Sequence, residues 1–559
     1  MKPVSKNIKS ATKIAMALIL LGTSYCEAAT PNDAADNGAD WAQYHRDYRG
    51  WRYSPLEQVN TNNVKKLKIA WIHQPGDIAQ GLQATPIAID GILYYIAANN
   101  RVFAVDGKTG KELWSYFTEL DPIVSKLLFA SYNRGVTVGL GKVYFGTLDG
   151  RIIALDQKTG KKLWDTKLVD TEKSAGSNFT SPPTLAGDVL IIGPTGGDLA
   201  QRGKIHAVSA QTGERLWAFE TLKDDPASWP KGAIDTGGGG TWMGGQYDPK
   251  NDLFYIGTSN AAPDFDGSVR PGNNLYTATL LAIEPKTGKL RWHHQEVPHD
   301  VWDYDAAYES VMLDKDGKDI LFHLNKGGYV SVLDRKTGQV LNVWPLAENI
   351  NWVESVNPKT GELIGRNEPE EGKAKTLCPS VLGARSWNHG AYSPKTGLWY
   401  TNAHEFCNTV KVGKQEPKDM AFSQPYFAFA ELNFAPPPAT GKPSSRLQAV
   451  DPLTGKTAWK IPSDLPNLGS VLATAGNLVF NGDVHGLVHA YDAKSGKELW
   501  NFNTGSGIRS GLISYAAGGK QYILVPSGFG SLFPAFAGAV YPGFKNTRGG
   551  AALIAFTIE

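Results

Sequence analysis

Six stretches of this chain share one frame. They read FAVDGKTGKELW at 103–114, IALDQKTGKKLW at 153–164, HAVSAQTGERLW at 206–217, LAIEPKTGKLRW at 281–292, QAVDPLTGKTAW at 448–459 and HAYDAKSGKELW at 489–500. A looser copy, VSVLDRKTGQVLNVW, occupies 330–344. In each, an apolar run with side chains on both faces suits a strand covered on both sides. Asp106 to Gly110 is turn chemistry, because Asp bonds its own backbone and Gly supplies positive φ. A single hairpin of this kind cannot bury its Trp; stacked neighbours can.

Strand–turn–strand units recurring at roughly 40–50 residues predict an all-β propeller. Trp114, Trp164, Trp217, Trp292, Trp344, Trp459 and Trp500 mark seven units. An eighth is split across the termini: LIAFTIE (553–559) resembles the strand before the turn, and KKLKIAW (65–71) the strand after it. Pairing them closes the ring and removes free edges. The expectation is therefore an eight-bladed β-propeller closed by its N- and C-terminal strands, with seven blades as the competitor. YDPKNDLFYIGTSN (247–260) and YSPKTGLWYTNAHE (392–405) are read as outer hairpins of blades.

One propeller can absorb nearly all of the 559 residues. The N-terminus carries Lys2, Lys6, Lys9 and Lys13 before an apolar run from Ile14 to Gly22. That run is too short for a membrane span, so 1–29 is read as a secretory signal peptide and 30–559 as the propeller. No transmembrane segment is expected. The net charge of +2 gives no reason to expect a nucleic-acid partner. Removal of Cys26 with the leader leaves Cys378 and Cys407, and an exported pair favours a disulfide over two free thiols. Residues 345–388 and 411–446 break the blade rhythm and are read as caps or binding loops, or else as surface excursions.

Four segments carry candidate chemistry. DTGGGGTWMGG (235–245) combines close backbone approach with Trp242, a floor for a planar ligand or a core residue at a tight blade edge. HDVWDYDAAY (299–308) alternates Asp303 and Asp305, which on a strand would share one side; such a pair is costly unless a cation or proton lies between. GPTGGDLAQRG (193–203) places Asp198 in a glycine-rich turn, and YIGTSNAAP (255–263) places Asn260 after a strand. Carboxylates with an amide oxygen suit a hard cation.

In combination these segments resemble the pyrroloquinoline quinone (PQQ)-dependent alcohol dehydrogenases of the methanol and ethanol dehydrogenase type. RYSPLEQVNTNNVKKLKIAW (52–71), ATPIAIDGILY (84–94), NRGVTVGLGKVYFGTLDGRIIALD (133–156), YIGTSN and VWDYDA carry the resemblance, which spans nearly all of the mature chain. It implies PQQ stacked on Trp242 and contacted by Arg134, Lys326 and Thr147. It implies a Ca²⁺ or lanthanide ion held by Asp198, Asn260 and Asp303, with Asp305 as the extra carboxylate of lanthanide users. Asp303 would also be the general base, and Cys378–Cys407 the structural disulfide. The substrate would be an alcohol and the electron acceptor a soluble cytochrome c, since the sequence has no C-x-x-C-H for covalent haem. A homodimer is compatible with the chain.

Departures from the family pattern gather near the cofactor. Leu128 and Phe129 replace a Cys-Cys pair, Phe129 offering an apolar lid. Gln83 stands for a Glu, and Asp198 is one methylene shorter than the usual Glu. Thr241 directly precedes Trp242, and Ser386-Trp387-Asn388 replaces an Asn-Trp pair. The competing readings are a non-catalytic envelope scaffold built on the same blades and a member that has lost or changed activity; oxidation of aldehydes or sugars instead of simple alcohols is a variant of the dehydrogenase reading. A scaffold needs the Trp repeat but not Trp242, Asp198, Asn260, Asp303 and Lys326 together.

Overall fold

A computed structural model describes residues 38–128 and 131–559. The leader read at 1–29 and the lid read at Phe129 lie outside the described residues. The chain is an all-β propeller, in which the repeats supply the last two strands of antiparallel sheets that are four-stranded, except that Tyr53–Ser54 adds a fifth strand in parallel to the sheet holding 489–500. In the first such sheet Ile87–Ile89, Ile92–Ala97, Arg101–Asp106 and Glu112–Phe117 lie in chain order. The Asp106 carboxylate accepts from the Lys108 and Thr109 amides and the Thr109 hydroxyl at 3.1, 2.8 and 2.7 Å. The turn closes at Gly110 with φ +74°.

That glycine has a second reason to be there. A Cβ at Gly110 would lie 2.7 Å from the Trp71 ring, and the Trp71 indole donates to the Gly107 carbonyl at 3.0 Å. The Trp of one sheet thus seats on the turn of the next. Trp114 meets Gly160, Trp217 meets Gly288, Trp292 meets Gly338, Trp344 meets Gly455 and Trp459 meets Gly496 in the same way. Each contact buries aromatic surface and satisfies the indole N–H at once. One sheet is composite: Lys68–His73 pairs antiparallel with Ala552–Thr557, so the two ends of the described chain meet in it.

The hairpins at 247–260 and 392–405 are not the outer pair that the sequence suggested. Leu253–Gly257 is buried throughout, whereas the Trp-bearing strand Leu290–Gln295 at the opposite edge is largely half-buried or exposed. The first hairpin of each unit therefore lies at the protected edge. There its loops can converge on the site, and the repeat faces the rim.

The two rhythm-breaking segments fold together. Lys375–Leu377 pairs with Cys407–Val412, which pairs with Phe429–Ala435, and Cys378 is disulfide-bonded to Cys407 at the root of this small sheet. The bond closes a loop of 29 residues in sequence separation, for which chain-entropy loss predicts about 3–4 kcal/mol. Cys378→Ala with Cys407→Ala is accordingly expected to lower the thermal midpoint by several degrees in a scanning calorimeter. An unchanged midpoint would mean that the cap is held by its strands alone. Among the described residues no helix is long and apolar enough to cross a membrane.

Candidate active site

Loops from several sheets meet in a cavity of about 270 Å³. The turn 193–203 and the stretch 235–245 approach backbone to backbone: a Cβ at Gly238 would sit 2.2 Å from the Gly197 carbonyl, and one at Gly240 2.8 Å from the Gly196 amide. The glycine-rich sequence is needed for this contact, and it delivers Asp198 and Trp242 to the same cavity wall.

Residues 300–306 are a loop and not the strand on which Asp303 and Asp305 would share a side. Asp303 adopts φ +62°, an uncommon conformation for a non-glycine residue and one that clusters at functional sites. Asp300 fixes the loop by accepting from the amides of Trp302 and Tyr304 at 2.9 and 2.8 Å. Tyr304 is buried beside Trp302 and Trp352. The two carboxylates still converge, now on Lys326, whose Nζ lies 2.6 Å from Asp303 Oδ1 and 3.1 Å from Asp305 Oδ2.

Asp305 Oδ1 also accepts from the Asn260 amide at 2.8 Å. Asn260 Nδ2 donates to Asp264 Oδ1 at 2.8 Å. One carboxylate oxygen from each of Asp198, Asp264 and Asp303 lies within 4.8 Å of the others. Burial and mutual repulsion push these groups upward: Asp198 to about 6, Asp264 and Asp303 well above the ordinary aspartate range. Lys326 is opposed by burial, but Asp303, Asp305 and Asp198 outweigh that and keep it charged. One ammonium among four carboxylates leaves the cluster short of positive charge, the electrostatic setting that a bound cation relieves.

The other end of the cavity is cationic and aromatic. Arg134 lies over Trp242 and Trp387 at 5.0 and 4.7 Å and donates to Thr180 Oγ1 at 2.6 Å. Arg509 lies over Trp387 at 5.3 Å. Burial and the neighbouring Arg134 bring Arg509 down to about 9. Gln83 lines this end and donates to the Gly530 carbonyl at 3.0 Å.

The structure thus gathers Trp242, Arg134, Lys326, Asp198, Asp303 and Asp305 around one cavity, with Asn260 bonded to the lining residues Asp305 and Asp264. Thr147 is not brought there: its buried hydroxyl is held in its own turn by Asp149 and the Arg151 carbonyl, and Thr180 and Thr195 line the cavity instead. Two residues escaped the sequence reading. Asp264 follows Asn260 by four positions in PDFD, where it reads as one more turn aspartate. Arg509, in GSGIRSG, stands alone in the last third of the chain.

A family model described as PQQ, glucose/ethanol/alcohol dehydrogenase, beta-propeller domain, matches residues 41–357 and 360–523. The chain belongs to the PQQ-dependent alcohol dehydrogenase family. Among its relatives in this family are the quinoprotein alcohol dehydrogenase PedH of Pseudomonas putida, 34% identical and covering 91% of this chain and 89% of that protein, and the quinoprotein ethanol dehydrogenase of Pseudomonas aeruginosa, 34% identical and covering 94% and 92%. A solved europium-containing methanol dehydrogenase superposes with TM-score 0.86 at 30% identity, covering 93% of this chain and 98% of that one. The quinohemoprotein alcohol dehydrogenase of Comamonas testosteroni gives TM-score 0.84 at 32% identity, covering 93% and 80%.

The residues of this PQQ-dependent dehydrogenase fold suit the family's cofactor. PQQ is a planar tricarboxylate, and the cavity offers the Trp242 face with two buried guanidiniums at its cationic end. Asn260 Oδ1 and Asp264 Oδ2 are buried without a hydrogen-bond partner among the described residues, as atoms that await a ligand are.

Proposed function

We propose that this protein is an exported PQQ- and metal-dependent dehydrogenase that oxidises alcohols to aldehydes. The observation that carries the reading is the juxtaposition of a carboxylate cluster, a charged lysine and an aromatic–arginine end within one cavity. Seven four-stranded sheets and one five-stranded sheet are read as eight blades of a ring closed through Lys68–His73 and Ala552–Thr557, with the Trp–Gly seats as docking contacts. Trp242 is the floor for the ring system, and Arg134 and Arg509 hold its carboxylates. Asp198, Asn260 and Asp303 hold the cation, with Asp305 beside them. When bound, PQQ would supply the acceptor for the hydride of the alcohol carbon, and the cation would supply Lewis acidity.

Asp303 takes the hydroxyl proton. Its strained backbone and its bond to Lys326 fix the carboxylate, so orientation is set before substrate arrives. Lys326, which lines the cavity, would stabilise negative charge growing on the quinone oxygens on reduction. Leu128, Val381, Leu382, Phe427, Leu432 and Phe533 give the cavity an apolar stretch of wall. Such walls exclude water and favour an alcohol with an apolar body over a sugar, whose hydroxyls would be left unpaired. The electron acceptor is read as a soluble cytochrome c from the family resemblance, and the compartment as the periplasm from the leader read at 1–29.

Reconstitution tests this directly. Apo-protein given PQQ with Ca²⁺ or La³⁺ should take up the cofactor and reduce dye with alkyl or aromatic primary alcohols. The glucose rate should be lower by at least about tenfold. No cofactor uptake under either ion would sink the reading.

A further inference from the structure

The carboxylate cluster does not distribute its members as the family resemblance implied. Asp305, the expected extra metal ligand, has both oxygens engaged: Oδ1 with the Asn260 amide at 2.8 Å and Oδ2 with Lys326 at 3.1 Å. Asp264 is placed differently. It is fully buried, yet it lines the cavity, and its carboxylate is the third of the group that includes Asp198 and Asp303. Oδ1 meets Asn260 Nδ2, while Oδ2 has no hydrogen-bond partner among the described residues. A buried carboxylate oxygen left bare is costly, and no donor among the described residues meets it.

The backbone fixes this position from the cap side. The Asp264 amide donates to the Tyr426 carbonyl at 3.1 Å, the Phe265 amide to Phe427 at 3.0 Å, and the Tyr426 amide to the Asp198 carbonyl at 2.7 Å. The segment 411–446 therefore ties the loops bearing Asp198 and Asp264 together, and it presents both carboxylates to the same point. Lys326 makes its ion pairs with Asp303 and Asp305, and none with Asp264 is seen among the described residues.

We infer that Asp264 is a metal ligand of this enzyme, which with Asp198 and Asp303 gives a three-carboxylate set matched to a trivalent lanthanide, and that Asp305 is a positioning residue acting through Lys326 and the Asn260 backbone. Three carboxylates balance a 3+ ion and over-compensate Ca²⁺, so ligand charge count sets the preference. The aspartate at 198 fits the same picture, because its carboxylate would share the ion with that of Asp264, within 4.8 Å of it. The inference rests on the PQQ- and metal-binding reading of this cavity.

The test uses the full-length protein loaded with PQQ and Eu³⁺. Luminescence lifetimes in H₂O and D₂O count the waters on the ion, and metal content after dialysis against equal La³⁺ and Ca²⁺ gives selectivity. Asp264→Asn is expected to add about one bound water and to weaken Eu³⁺ binding by roughly 10–100-fold, with selectivity moving toward Ca²⁺. Asp305→Asn is expected to leave the water count unchanged and to lower turnover. Apo-protein melting of both variants separates a folding defect from ligand loss: an Asp264→Asn apo-protein that melts as wild type but binds Eu³⁺ weakly supports the assignment. Wild-type water count and affinity in Asp264→Asn would overturn it while leaving the enzyme reading intact. Wild type that binds Eu³⁺ nowhere near this cavity would overturn both.

Discussion

Asp303→Asn is expected to lower kcat by about 10²–10⁴-fold while the protein still binds PQQ. The amide keeps the size and one acceptor oxygen of the carboxylate, so the contact with Lys326 survives in weakened form and the floor at Trp242 is untouched. What is lost is the ability to take a proton from the substrate hydroxyl. The alternative bases are poorly suited: Asp305 is engaged with Lys326 and the Asn260 amide, and Asp264 is fully buried and bonded to Asn260 Nδ2. The measurement is steady-state dye reduction alongside the absorbance of the bound quinone. Full turnover with normal quinone absorbance would remove Asp303 from its role. Loss of both turnover and absorbance would make it chiefly a ligand of the cofactor–metal pair.

The fold was legible because its repeat states its own packing rule. An Asp that caps its turn, a Gly that fits beneath a ring and a Trp one strand later can be satisfied only by a neighbour of the same kind. The composite sheet was legible for the same reason, since LIAFTIE and KKLKIAW each lack a local partner. The site was legible only where residue type and spacing are unusual, as in the glycine runs around Asp198 and Trp242 and the Asp-Tyr-Asp of 303–305. Even there the reason was mistaken. A strand was expected to align the two carboxylates, whereas a left-handed Asp303 and the Asp300 bonds to the loop amides align them on Lys326. The placement of Asp264 was not legible, because it depends on segment 411–446 folding back onto residues that precede it by more than 140 positions. Arg509 was hidden by the same non-locality: a lone arginine near a blade edge reads as solvent-facing until Trp387 and Arg134 are known to lie beside it.

Lys326→Met is expected to destabilise the apo-protein by about 3–5 kcal/mol, the usual penalty for removing one partner of a buried ion pair. Methionine keeps most of the apolar stem, so packing against Gly383 is largely preserved. The lost ammonium leaves Asp303 and Asp305 facing each other with Asp198 and Asp264 close by, and no other cation is seated among them in the described residues. La³⁺ at saturating concentration with PQQ should recover much of that stability, because the ion brings three positive charges to the same point. Turnover should stay low even in the loaded protein, by about 10²–10³-fold, since the donor facing the reduced quinone is gone. Calorimetry of apo and loaded variants, paired with dye reduction, separates the two contributions. An apo-protein as stable as wild type would show that the carboxylates simply take up protons when Lys326 leaves. Full activity in the loaded variant would show that Lys326 organises the empty site and has no part in the reaction.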